Sequence, residues 1–106
     1  MSKIELYQGD EFNLEFQLRD DSGNPTNLSS ATVKFYIEDK DGNSLFGTPL
    51  LCTVLDESNG RFFVRITSTQ TAQVGKYYYE IVVEYEYGDI ITVDKGELIV
   101  YESAKV

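Results

Sequence analysis

Glu11-Phe12-Asn13-Leu14-Glu15-Phe16-Gln17-Leu18-Arg19 alternates strictly between polar and apolar residues. A period of two places Phe12, Leu14, Phe16 and Leu18 on one face of an extended strand and the polar residues on the other. Such a strand has one face in a core and one in water, as in antiparallel sheets. The same pattern recurs down the chain. Val33, Phe35 and Ile37 alternate with Lys34 and Glu38, and Phe62, Val64 and Ile66 alternate around Arg65. Tyr77, Tyr79, Ile81, Val83 and Tyr85 form the longest run, with Glu80 and Glu84 on the opposite parity and Glu86 following. Leu98 and Val100 belong to a last strand, and residues 3–7 and 50–56 are weaker strand segments. β-Branched and aromatic residues fill these runs, as pleated, half-buried surfaces favour.

The breaks carry turn chemistry. Asp20-Asp21-Ser22-Gly23-Asn24-Pro25 reads as a loop, and Asp41-Gly42, Asn59-Gly60 and Tyr87-Gly88-Asp89 mark hairpins. Gly47-Thr48-Pro49 interrupts the middle of the chain, and Pro49 points to a sheet edge or a bulge. No amphipathic helix of ten residues is present, and Ser68–Gly75 is expected to form one short helical turn. Seven to eight strands with regular turns predict an all-β fold, an antiparallel β-sandwich, built as one domain over residues 1–106.

Composition sets the next bounds. The chain has 106 residues, 42% of them hydrophobic, enough for one core. No apolar run approaches the ~18 residues of a membrane helix, and Met1-Ser2-Lys3-Ile4-Glu5 lacks the apolar stretch of a signal peptide. There is no histidine, which removes His-based triads and His-containing zinc sites. The single cysteine, Cys52, lies among Leu50, Leu51, Val54 and Leu55 and is expected to be a small packed residue. Eighteen acids against nine bases give a net charge of −9. That balance repels phosphate backbones and anionic membranes, so direct nucleic-acid and membrane partners are not expected.

Candidate chemistry is sparse. Asp39-Lys40-Asp41-Gly42-Asn43 has the look of a calcium loop, but Ser44 and Leu50 stand where that motif needs Gly and Glu. Asp20, Ser22 and Asn24 also space their oxygens, but Pro25 stands where Gly is needed. Asn27-Leu28-Ser29 matches a glycosylation acceptor, a match common by chance. Glu80, Glu84 and Glu86 read as a solvated face, and no G-x-S-x-G motif exists. No catalytic residue, cofactor, metal or small-molecule substrate is expected. Of the eight tyrosines, Tyr77, Tyr79 and Tyr85 lie on the apolar parity. Tyr36 and Tyr78 lie on the other, with Val82 beside Tyr78. Tyrosine is amphipathic and enriched at interfaces, so Tyr36, Tyr78 and Val82 are the candidate protein-contact residues.

The order of these motifs carries more than any one of them. The chain opens with Tyr7-x-Gly9-Asp10-x-Phe12-x-Leu14-x-Phe16-x-Leu18-x-Asp20, followed by Gly23-Asn24-Pro25 and Asn27-Leu28-Ser29-Ser30-Ala31-Thr32-Val33-x-Phe35-x-Ile37. Then come Gly60-x-Phe62-x-Val64-x-Ile66 and Thr71-x-x-x-Gly75-x-Tyr77-x-Tyr79-Glu80-Ile81, and finally Gly88-Asp89-Ile90-Ile91-Thr92-Val93-x-x-Gly96-x-Leu98-x-Val100. This set resembles the N-terminal domain family of the baseplate upper protein of tailed phages of Gram-positive hosts, over about residues 5–100. The resemblance implies an immunoglobulin-like β-sandwich that serves as a non-catalytic virion building block and anchors a longer protein to the baseplate. It implies other virion proteins or self-association as partners, and assembly in the bacterial cytoplasm before residence in the phage tail. The chain ends at Val106, soon after the last strand, so it is read either as a stand-alone member or as the anchoring domain alone. The competing readings are a carbohydrate- or cell-surface-binding sandwich and a small acidic inhibitor that mimics nucleic acid.

Overall fold

The alternating runs become strands because each offers one apolar stripe, and two such sheets bury their stripes against each other. The computed structural model describes residues 2–104. Eight strands follow in order: β1 (Ser2–Tyr7), β2 (Phe12–Gln17), β3 (Ala31–Glu38), β4 (Leu50–Leu51), β5 (Thr53–Asp56), β6 (Arg61–Ile66), β7 (Gly75–Tyr85) and β8 (Ile90–Tyr101). They form a five-stranded sheet in the order β1-β8-β7-β3-β4 and a three-stranded sheet in the order β2-β6-β5. The result is an all-β sandwich. All pairings are antiparallel except one: β1 runs parallel to β8, with Ile4 opposite Leu98 and Leu6 opposite Val100.

The core lies between the sheets. Val33, Phe35 and Ile37 of β3, Tyr79, Ile81 and Val83 of β7, and Leu98 and Val100 of β8 face Phe62, Val64 and Ile66 of β6. All of these are essentially sealed from water. The apolar stripe of β2 is only half-buried, because β2 is an edge strand and has a neighbour on one side only. Phe16 nevertheless stacks on Phe62 at 5.3 Å. The chain changes sheets at Cys52: β4 pairs with β3, whereas β5 pairs with β6. Burial pushes the Cys52 thiol up to about 12, so its reactive thiolate form is scarce at neutral pH.

Two loops share one device. In Asp20-Asp21-Ser22-Gly23-Asn24 the Asp20 carboxylate accepts from the Ser22 and Asn24 amides, each at 2.9 Å. In Asp39-Lys40-Asp41-Gly42-Asn43 the Asp39 carboxylate accepts from the Asp41 and Asn43 amides at 2.8 and 3.0 Å. Each Asp replaces the missing ladder partners inside its own turn, which is the use of these oxygens visible in the fold. The Asp39 carboxyl is held below its ordinary range, chiefly by its hydrogen bonds from Asn43. Stability from that source is present above the ordinary aspartate range and is lost as the pH falls through the lowered value.

The expected helical turn over Ser68–Gly75 is not formed. Residues 68–71 make a hydrogen-bonded turn, and Gly75 already opens β7. The Gln70 side-chain oxygen accepts from the Thr67 amide at 2.8 Å, the contact that opens many helices, and its amide nitrogen donates to the Phe46 carbonyl at 3.0 Å. The turn goes no further because β7 begins at Gly75 and leaves no length for a helix.

Candidate interaction face

The strand period that buries Phe35 and Tyr79 turns their neighbours outward. On the outer face of the five-stranded sheet, Tyr36 stands opposite Glu80, Tyr78 opposite Glu38, and Val82 opposite Lys34. The structure therefore brings the three candidate residues, Tyr36, Tyr78 and Val82, onto one face. Tyr36 is the diagonal neighbour of both Tyr78 and Val82 across β3 and β7. Tyr36 and Val82 line a shallow depression with Glu38, Glu80, Ile90 and Thr92. Tyr78 lines a neighbouring depression with Lys40, Lys95 and Gly96. Glu38 and Gly42 border both.

The face is laced by cross-strand polar contacts. Lys34 pairs with Glu84, and Lys76 pairs with Glu97 at 3.2 Å. The Lys76 ammonium also lies 6.0 Å above the Tyr78 ring. Thr92 donates to Glu80 at 3.1 Å. The Glu38 and Glu80 carboxyls act on each other: hydrogen bonding with Glu80 is the chief cause that raises the Glu38 pKa, and the same interaction lowers that of Glu80. Glu80 is thus not simply one of a solvated row. Strand parity puts Glu38 and Glu80 on outward faces, but only the β3–β7 register makes them neighbours, and register is not local to either strand.

The pair carries a pH dependence. A carboxyl whose folded pKa is raised contributes stability below its unfolded value, near pH 4, and that contribution is lost as the pH rises through the folded value. Glu38→Gln keeps a donor for Glu80 and removes the loss. It is expected to melt higher than the parent at neutral pH, with the two converging in acid. Thermal melts at both pH values check this, and identical melts at neutral pH would show that the Glu38–Glu80 interaction contributes nothing.

Tyr36 and Tyr78 cover the outer face without filling the core. Tyr78 is 36% exposed. Tyr36→Ala and Tyr78→Ala are each expected to change stability by less than about 1 kcal/mol, as surface substitutions do. Loss of folding in either would show that the outer tyrosines hold the sheet together. Light scattering of the same variants reports any loss of self-association.

The model of the family described as the BppU N-terminal domain matches residues 1–103. Among solved structures, the N-terminal domain of phage TP901-1 ORF48 superposes with a TM-score of 0.68 at 16% identity, covering 93% of this chain and 84% of that one. At that identity the likeness shows a common fold. A mutant SrpA adhesin from Streptococcus sanguinis gives a TM-score of 0.48 at 16% identity, over 96% of this chain and 56% of that one, too slight a likeness to bear on function. No curated protein matches the chain.

Proposed function

This chain belongs to the BppU N-terminal domain family, the N-terminal domains of phage baseplate upper proteins, and from that membership we propose that it is a non-catalytic structural component of a phage or prophage baseplate or tail. It acts through contacts with other virion proteins. It is assembled in the bacterial cytoplasm and then resides in the virion. The observation that carries the reading is the family match, which spans residues 1–103 rather than one motif. The fold shared with a phage protein domain supports it.

Two features of the molecule agree with a scaffold. The outer sheet face is laced by cross-strand ion pairs and a hydrogen bond, which suits a surface held in one place in an assembly. Acids such as Asp20 and Asp39 are spent on capping their own turns, and Asp56 accepts from Asn59 in another turn. That use favours a structural role for the acids over a phosphate-like array.

Mass spectrometry of virions purified from the phage that encodes the chain tests the proposal. The chain is expected there at a fixed ratio to the tail proteins. Its absence from purified virions, with abundant expression in the host, would overturn the reading.

A further inference from the structure

Strand β8 begins at Ile90, but β1 pairs with it only from Gly96 to Tyr101. On the side away from β7, no described strand pairs with residues 90–95. The register shift opposite Ile81 and Val82 ends the regular part of this open edge after Thr92. An unpaired edge exposes a row of backbone donors and acceptors ready for another strand.

This edge is also apolar. Ile90 is 67% exposed, Ile91 45% and, at the hairpin tip, Tyr87 72%. Successive strand residues point to opposite faces, so Ile90 and Ile91 offer apolar contact on both sides of an added strand. Tyr87 is held ready: its ring stacks on Tyr85 at 5.2 Å, and the Tyr85 hydroxyl donates to the Asn27 carbonyl at 3.1 Å. Of the other edges, β1 and β2 are charged in the usual protective way, with Lys3 and Glu5 on β1 and Glu15 on β2, while β4 and β5 expose Leu51 and Leu55 but are only two and four residues long.

Charge selects the occupant. From Tyr77 through Asp94 the sequence holds five acids and no lysine or arginine. Glu86 and Asp89 flank Tyr87 and are exposed, and the nearby Lys34 is taken by Glu84. A second copy would set these same acids against themselves, on a chain of net charge −9. A segment carrying lysine or arginine meets them favourably and is steered in from a distance.

We propose that the open β8 edge at Ile90–Thr92, with Tyr87 at its tip, docks an extended, basic and apolar segment of another virion protein by strand addition. This rests on the virion reading above and names the surface and the chemistry of the partner. The backbone supplies register, Tyr87 and the two isoleucines supply anchors, and Glu86 and Asp89 supply selectivity.

The test uses the purified tail proteins encoded with this chain, each immobilised and probed with the intact chain at low and high salt. One of them is expected to bind. Tyr87→Ser combined with Ile90→Asn should weaken that binding roughly tenfold or more, as loss of buried anchors does. Glu86→Lys combined with Asp89→Lys should slow association and remove its salt dependence. Glu15→Lys, on the β2 edge, should leave binding unchanged. All of these positions are exposed, so the thermal melts of the variants should overlay that of the parent. In the complex the amides of residues 90–92 should gain protection from hydrogen exchange.

Binding that survives both double variants overturns the β8 edge and leaves the virion role standing. The same holds if no tail protein binds although the chain is present in virions. A concentration-dependent dimer abolished by Tyr87→Ser overturns the partner, because a second copy then occupies the edge. Absence of the chain from virions removes the functional reading itself.

Discussion

Gly60→Ala is expected to destabilise the protein by about 4 kcal/mol or more, a loss few single substitutions reach and a large share of a domain's total of about 5–15 kcal/mol. Two separate effects add. Gly60 has a φ of +67°, and an L-residue with a side chain in that region costs roughly 1–2 kcal/mol. A Cβ at this position would also stand 2.7 Å from the carbonyl oxygens of both Leu18 and Thr26. Neither oxygen is at the end of a flexible side chain. The Leu18 carbonyl accepts from the Thr26 amide at 2.9 Å, and the Leu18 amide donates to the Gly60 carbonyl at 2.9 Å. The β5–β6 turn is therefore pressed onto the segment that continues β2, and a methyl group would wedge them apart. Gly23 separates the two effects. Its φ is +84°, but a Cβ there would meet nothing within 4 Å. Gly23→Ala should cost only the conformational share, about 1–2 kcal/mol. Urea unfolding of both variants gives the comparison, and equal losses would show that the Leu18 and Thr26 contacts yield easily.

The Asn59-Gly60 pair illustrates what could be read in the sequence and what could not. A turn at these residues follows from local chemistry, because glycine tolerates positive φ. The close approach of Leu18 and Thr26 depends on residues more than thirty positions away in the chain and has no local signature. The same division runs through the fold. Strands β2, β3, β6 and β7 were legible because each pairs a buried with a wet face, and burial imposes a period of two. The last strand was legible only at Leu98 and Val100, where β1 and the core cover it. Its first part, Ile90-Ile91-Thr92-Val93, does not alternate, since Ile90, Ile91 and Thr92 are all exposed. With no buried face there is no pattern to read. The parallel pairing of β1 with β8 joins strands from opposite ends of the chain, so only the assembled sheet reveals it. The outward direction of Tyr36, Tyr78 and Val82 followed from parity alone. Their placement as diagonal neighbours across β3 and β7, and the interaction of Glu38 with Glu80, depended on register.

The second large effect is expected at the centre of the core. Phe35→Ala should cost about 3–5 kcal/mol, the range for deleting a buried aromatic ring. Phe35 is fully sealed from water. Its ring stacks on Tyr79 at 5.6 Å within its own sheet and lies 6.3 Å from the Phe16 ring of the opposite sheet. It therefore joins the layers as well as filling space between them. Whether the cost falls at the upper end depends on how far the neighbours can collapse into the gap. Tyr79 is poorly placed to do so, because its hydroxyl donates to the Asp94 carboxylate at 2.9 Å and anchors the ring from its far end. Moving the ring inward would break that bond, at the cost of a lost hydrogen bond to a charged group. The upper part of the range is thus expected for Phe35→Ala. Phe16→Ala, on the half-buried edge strand, should cost less, because solvent already reaches one side of it. The adjacent Tyr36→Ala serves as the opposite control, one residue along the strand and on the other face. A urea midpoint for Phe35→Ala close to that of Tyr36→Ala, at equal denaturant slope, would mean that the contact between the sheets does not pass through Phe35. A wide gap between these two neighbouring variants would show that strand parity decides which side chains hold the sandwich together and which are left free to meet a partner.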